Sequence, residues 1–251
     1  MKRKRIGFGA TCDVYKENGR AIKKFKNDEF MLHEVGILKK LQSDYIIKMI
    51  SADIMTKELT LELAEMDMFT YLKKYNSEPK DKKIIFTHIA KAVALCHSHK
   101  IAHCDIKPAN MLFVDGVVKL TDFGSACPFD KFEDSETEIL ITMNIMAPEI
   151  LYGLKFDQTI DLWALGCFLG CLALGDPIFF LGDTFDEVKQ EIIDYIGTPP
   201  KRYGKMIYKK GSGFGGLQRF IDSGIDLLGK LLKYEDRLGI DEVLKHEFVI
   251  N

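Results

Sequence analysis

The chain has 251 residues, 47% of them apolar and 29% charged, with a formal net charge of −2. This is the composition of a soluble globular protein with room for a well-filled core, and so small a charge gives no global pull towards nucleic acid or an anionic membrane. No apolar run approaches the ~20 residues of a membrane span, and the basic start "MKRKRI" is not followed by the apolar stretch of a signal peptide.

In chain order, Lys2 to Arg5 read as a solvated edge strand, with a nuclear address as the alternative. The short "IGFG" at 6–9 is, alone, weak evidence for phosphate binding. "CDVYKENGRAIKKF" contains Asn18-Gly19, the strongest two-residue hairpin signal. Its register places Val14 opposite Lys23 and puts Ala21 and Lys23 on one face. A lysine there needs an anion or ligand, unless it snorkels from an edge. "FMLHEVGILKKL" reads as a helix with Phe30, Ile37, Leu38 and Leu41 on its apolar stripe. Glu34 falls on that stripe, where a carboxylate needs a partner, and Lys23 is the candidate. "ELTLELAEM" is a further strand.

Beyond it the chain turns helical, with "IIFTHIAKAVALCHSH" and "DLWALGCFLGCLAL" too long for strands. The expected organisation is one domain over 1–251, α+β in class: a strand-rich small lobe at 1–61, a connector at 62–67 and a mainly helical lobe at 68–251. A cleft between two such lobes is a common ligand site.

Between the two long helical segments lies "HCDIKPANMLFVDGVVKLTDFG". Its Asp115-Gly116 turn predicts a second hairpin that pairs Asn110 with Thr121 and so brings Asp122 beside Asn110. Asp105 lies on the loop feeding the same strand. A carboxylate and an amide oxygen at one strand end suit a hard cation such as Mg²⁺. Either residue alone is more simply a turn cap. Their convergence, with Lys107 among them, favours chemistry. The six cysteines show no C-x-x-C spacing, so neither a zinc nor a redox motif is indicated, and a reducing intracellular compartment, nucleus or cytoplasm, is expected.

Taken in order, these segments resemble a eukaryotic protein kinase over essentially the whole chain. "IGFGATCDVY" resembles the glycine-rich loop, "AIK" at 21–23 the strand-lysine motif with Glu34 as helix partner, and "HCDIKPAN" the catalytic loop. "DFG" at 122–124, "APE" at 147–149, "DLWALG" at 161–166 and Arg237 follow the same pattern. The resemblance implies a bilobal fold and ATP and Mg²⁺ as cofactors, with a protein substrate. It places Lys23 on the α/β-phosphates, positioned by Glu34, and Asn110 and Asp122 on the metal. Backbone N–H groups at Gly7 to Gly9 would cover the phosphates. Asp105 would accept the hydroxyl proton, and Lys107 would balance the moving charge. Ile6, Val14 and Ala21 belong to the same cofactor site. Leu61 takes the gatekeeper place, Glu62 to Ala64 the hinge, and Asp67 the ribose-side edge. D-x-K-P-x-N resembles serine/threonine kinases, and Thr142 matches the position that hydrogen-bonds near the Asp.

"ALCHSHKIAHCDIKPANML", "IGTPP" at 196–200 and "LLKYEDRLGIDEVLKHEF" resemble the cyclin-dependent (CMGC) branch, implying a part in cell-division control and a cyclin-like activating subunit. The chain departs from that branch in several places. "DEFMLHE" is unlike the helix a cyclin grips, Cys12 replaces a third glycine, and Met146 replaces an arginine tied to proline direction. Thr137 falls on the branch's activating phosphorylation site. The positions of the phosphate-receiving arginines hold His33, Cys104 and Cys127, and Glu133, Asp134, Glu136 and Glu138 surround Thr137. Activity independent of Thr137 phosphorylation is therefore expected. A different class, a pseudokinase-type binding scaffold, is the alternative, although it would need none of Lys23, Asp105, Asn110 and Asp122. A P-loop NTPase has no G-x-x-x-x-G-K-[ST] run to support it.

Overall fold

The computed structural model describes residues 3–75, 79–132, 141–217 and 220–250. Thr137 and its acidic neighbours at 133–138 lie outside them.

The amino-terminal region is an antiparallel sheet of β1 (Lys4–Phe8), β2 (Cys12–Glu17), β3 (Arg20–Phe25), β4 (Met49–Asp53) and β5 (Glu58–Glu62), in the order β1-β2-β3-β5-β4. β1 is an edge, and its Lys4 and Arg5 are exposed, in keeping with charged edges that resist further pairing. Asn18 (φ 48°) and Gly19 (φ 71°) adopt the left-handed conformation that a two-residue hairpin turn requires. The resulting register sets Val14 opposite Lys23, as the turn predicts.

Helix α1 (Asp28–Leu38) lies between β3 and β4 in the chain. Asn27 caps it, accepting from the Phe30 backbone N–H at 3.0 Å. Its buried face is Met31, Glu34, Val35, Ile37 and Leu38. Phe30, expected on this stripe, is 39% exposed, because it lies in the first turn at the margin of the face defined by Met31, Val35 and Leu38. Leu41 is buried but lies beyond the helix end.

Past β5 the chain runs through β6 (Met66–Asp67) into α2 (Met68–Lys74) and α3 (Pro79–Ser98). A two-residue strand β7 (Ile101–Ala102) then leads to the hairpin β8 (Met111–Val114) and β9 (Val117–Leu120), and β10 (Cys127–Pro128) pairs back with β7. The remaining helices are α4 (Pro148–Leu151), α5 (Ile160–Leu174), α6 (Phe185–Ile196), α7 (Asp222–Leu231), α8 (Ile240–Lys245) and α9 (Glu247–Ile250). α5 is buried along almost its whole length, which explains its lack of a polar face.

Hydrogen bonds from two segments help fix the sheet to the helical part. The segment after α1 joins β9 through Ile47 N–H to Leu120 C=O (3.0 Å) and Leu120 N–H to Tyr45 C=O (2.8 Å). The Glu62 carboxylate, at the end of β5, accepts from Lys119 Nζ on β9 at 2.8 Å and from the Lys48 backbone N–H at 2.8 Å.

Candidate active site

A cavity of about 520 Å³ lies where the sheet, the connector and the β8–β9 hairpin meet. Its sheet wall is Ile6, Gly7, Val14, Ala21 and Lys23. Leu61, Glu62, Ala64 and Asp67 close the connector side, and Asn110 and Asp122 form the far end. Each of these was expected at one site. The period of two along β3 puts Ala21 and Lys23 on the same face, so a single strand supplies both wall and charge.

Lys23 is the centre of the charge cluster. Its Nζ donates to Glu34 Oε1 (2.8 Å) and Oε2 (2.6 Å) and to Asp122 Oδ1 (2.8 Å). Lys23 and Glu34 are both buried. Burial works against the ammonium, but Glu34 and Asp122 outweigh it and hold the Lys23 pKa above its ordinary value. Burial also opposes ionisation of Asp122, and the nearby Lys23 overcomes it, so this carboxyl sits below its ordinary value. Burial pushes the Glu34 carboxyl up against the pull of Lys23. With its partner at 2.6 Å, Glu34 is read as ionised. The ionised cluster then carries one excess negative charge facing the cavity.

The second hairpin has the register its turn predicts, Met111 opposite Leu120, with Asp115 (φ 50°) and Gly116 (φ 79°) left-handed. Continuing past it, the Thr121 N–H donates to the Asn110 carbonyl at 3.0 Å, which places Asp122 beside Asn110 at the cavity end. Asp122 is itself left-handed (φ 63°, ψ 72°), a conformation that Asp tolerates better than most residues.

Asp105 is held from three sides. Asn110 Nδ2 donates to its carbonyl (2.9 Å) and to Oδ2 (2.8 Å). Lys107 Nζ lies 2.9 Å from Oδ2, and Thr142 Oγ1 donates to Oδ1 at 2.7 Å while accepting from Lys107 Nζ at 2.6 Å. Because Asn110 turns its amide nitrogen towards Asp105, its amide oxygen is left as an acceptor.

Behind this loop lies a residue to which sequence reasoning assigned no role. Asp161, fully buried at the start of α5, accepts from the backbone N–H of His103 (2.8 Å) and Cys104 (2.9 Å) and meets His97 Nε2 at 2.9 Å. These bonds hold Cys104 in the left-handed conformation (φ 65°), which a non-glycine residue adopts only at a cost of roughly 1 kcal/mol. His103 Nδ1 accepts from the Asp105 N–H (3.2 Å), and its Nε2 faces the Thr121 carbonyl (3.0 Å), joining loop and hairpin. The available signal was an acid opening an otherwise apolar helix.

Other expected residues act from outside the cavity wall. Glu34 reaches it only through Lys23. Asp105 and Lys107 lie behind Asn110. Gly9 is not on the wall, and its N–H is taken by the Cys12 carbonyl at 2.8 Å. Asp67 lines the cavity and also caps α2, accepting from Thr70 N–H at 2.7 Å. Ile47 and Leu112 also line the wall and were not anticipated, because their places depend on how the hairpin docks under the sheet.

The donor set fits a magnesium ion: an amide oxygen and a carboxylate, with room for phosphate and water oxygens to complete the coordination. Among the described residues no group of three or more His, Cys, Asp or Glu is placed to hold a metal without such help.

The family model for the protein kinase domain matches residues 2–249. The chain belongs to the protein kinase family, and is a phosphotransferase with the α+β kinase fold that acts on protein substrates. Enzymes of this family generally use ATP with Mg²⁺.

Proposed function

We propose that this kinase transfers the γ-phosphoryl group of Mg-ATP to Ser and Thr hydroxyls, and that it is of the cyclin-dependent-like type, with a part in cell-division control inside the nucleus or cytoplasm. The observation that carries the reading is a single cavity on which Lys23, Asn110 and Asp122 converge, with the Asp105 carboxylate 2.8 Å from Asn110.

In this reading Ile6, Val14, Ala21 and Leu61 enclose the adenine, the backbone of Glu62 to Ala64 borders its edge, and Asp67 faces the ribose. Lys23, positioned by Glu34, holds the α- and β-phosphates. Asn110 and Asp122 hold Mg²⁺, which when bound neutralises phosphate charge. Asp105 orients the acceptor hydroxyl and takes its proton as the oxygen bonds to phosphorus and the bond to the ADP oxygen breaks. Lys107 balances charge on the transferred group. Its bonds to Asp105 and Thr142 support the serine/threonine assignment, which rests on the D-x-K-P-x-N pattern.

The reading does not require a cyclin-like subunit to bring α1 inward, since Glu34 already meets Lys23 in the single chain. Nor does it require phosphate on Thr137. Cys104 faces a small crevice with Ile141, Ile145, Ala147, Ile150 and the acidic Asp161, a setting that among the described residues offers a phosphate no cation.

The test is phosphotransfer from labelled ATP and Mg²⁺ to a generic basic protein, followed by phosphoamino-acid analysis. Phosphoserine and phosphothreonine without phosphotyrosine are expected, and Thr137→Ala should retain the rate. Absence of transfer from a folded chain would leave the scaffold reading in its place.

A further inference from the structure

A second cavity, of about 220 Å³, opens on the other side of the loop that carries Asp105. Its wall includes Phe69 of α2, Ala109, Cys171 of α5, Ile178 and Phe179. It shares Lys107 and Thr142 with the Asp105 network, so its rim lies one hydrogen bond (2.7 Å, Thr142 Oγ1 to Asp105 Oδ1) from the proposed catalytic carboxylate.

Two properties of this cavity point to what it takes. Among the described residues no carboxylate lines it, and the one charged residue there, Lys107, is already engaged by Asp105 and Thr142. The polar side chain deeper in the wall is also committed: Asn144 Nδ2 donates to the Phe180 carbonyl at 2.6 Å and the Gly182 carbonyl at 3.2 Å, which fixes the 177–182 segment as a rigid side. A cationic side chain entering here would lose water and find no counter-charge among the described residues. An apolar one would lose only water. An apolar cavity of roughly 150 Å³ already accepts a benzene-sized group, so this one has room for a single large aliphatic or aromatic side chain.

We propose that this cavity is a substrate subsite that receives one large apolar side chain of the protein substrate, close in sequence to the phosphorylated residue. The inference rests on the kinase reading above, with the acceptor hydroxyl on Asp105. An extended peptide advances about 3.3 Å per residue, so the residue that reaches the cavity lies within about three positions of the acceptor. Phe69 and Ile178, both only partly buried, line the cavity from separate segments and set the preference, while Cys171 and Phe179 lie in its buried wall.

The experiment uses the full chain and serine peptides in which each position near the acceptor is varied in turn over Leu, Met, Phe, Ala, Lys and Asp. At one position Leu, Met or Phe is expected to exceed Ala by roughly ten-fold in kcat/KM, mainly through KM, with Lys and Asp lower still. Ile178→Asp should abolish that preference and improve the Lys peptide, with an unchanged unfolding midpoint showing that the variant is folded. Phe69→Ala should weaken the preference without reversing it, and serves if Ile178→Asp does not fold. A flat profile from a chain that phosphorylates the basic protein would overturn the subsite and leave the kinase reading standing. So would a preference that survives both substitutions. Failure to phosphorylate any acceptor would overturn the kinase reading, and the subsite with it.

Discussion

Lys23–Glu34 and Arg237–Glu149 are both charge pairs withdrawn from water, with side chains 7% and 1% exposed in the first and 4% and 8% in the second. Their surroundings differ. Arg237 meets Glu149 through both of its terminal nitrogens, donates from Nε to the Lys233 carbonyl at 2.8 Å, and lies over the Trp163 ring at 5.2 Å. That fork is matched and closed. Lys23 instead serves two carboxylates, and the second, Asp122, is 48% exposed and borders a cavity. A buried ion pair by itself therefore says little about chemistry. An unmatched third charge on an open wall marks the place for a ligand.

The sharpest way to separate the two regions is to change a charge at the site that supports no packing. Asp105→Asn should lower phosphotransfer by about 10³-fold, the range for a lost proton acceptor, while losing only about 1–2 kcal/mol of stability from its broken hydrogen bonds. At the closed pair the effect should fall on stability. Arg237→Ala leaves Glu149 buried and unpaired, at about 3–5 kcal/mol, read as a drop on the order of 10 °C in Tm, with activity retained by the molecules still folded.

Lys23→Met tests the intermediate case. It should lose most activity and destabilise by a smaller amount, about 2 kcal/mol, because Asp122 can take up water from the cavity and the buried Glu34, whose ionisation burial already opposes, can take up a proton. Adding Glu34→Met should recover the stability but not the rate. If the double variant regained activity, Lys23 would not belong to the site. A weaker effect is expected at Thr142→Val, which removes the hydroxyl bridging Lys107 and Asp105: roughly ten-fold in kcat, with less than about 1.5 kcal/mol of stability.

The smallest effect concerns the thiols. All six cysteines are free and buried, and burial holds Cys96, Cys104, Cys167 and Cys171 protonated well above the ordinary thiol range. Since the thiolate is the reactive form, raised values mean little labelling by iodoacetamide at pH 8 in the native protein and full labelling in denaturant. Rapid native labelling of Cys104 would contradict its placement behind the Asp105 loop.

Much of the site was legible because it hangs on two tight turns. Once Asn18-Gly19 and Asp115-Gly116 are recognised, the two-residue period of a strand carries the register outward to Val14, Lys23, Asn110 and Thr121 without further information. Glu34 was legible for another reason: a carboxylate on an apolar helical stripe demands a partner. Phe30 was misplaced because helical periodicity does not say where a buried face stops. Ile47 and Leu112, Asp161 under the catalytic loop, and the second cavity were missed for a common cause. Each depends on how separate elements dock.

The sequence by itself determined the local pairings and the inventory of charged groups, since turn chemistry and side-chain alternation act over a few residues. Only the tertiary structure decided which of those groups share a cavity. Lys23 and Asp122 stand 99 positions apart, Glu149 and Arg237 88 apart, and Cys104 and Asp161 57 apart. Contacts at such separations are set by the packing of one buried core, which no local rule encodes.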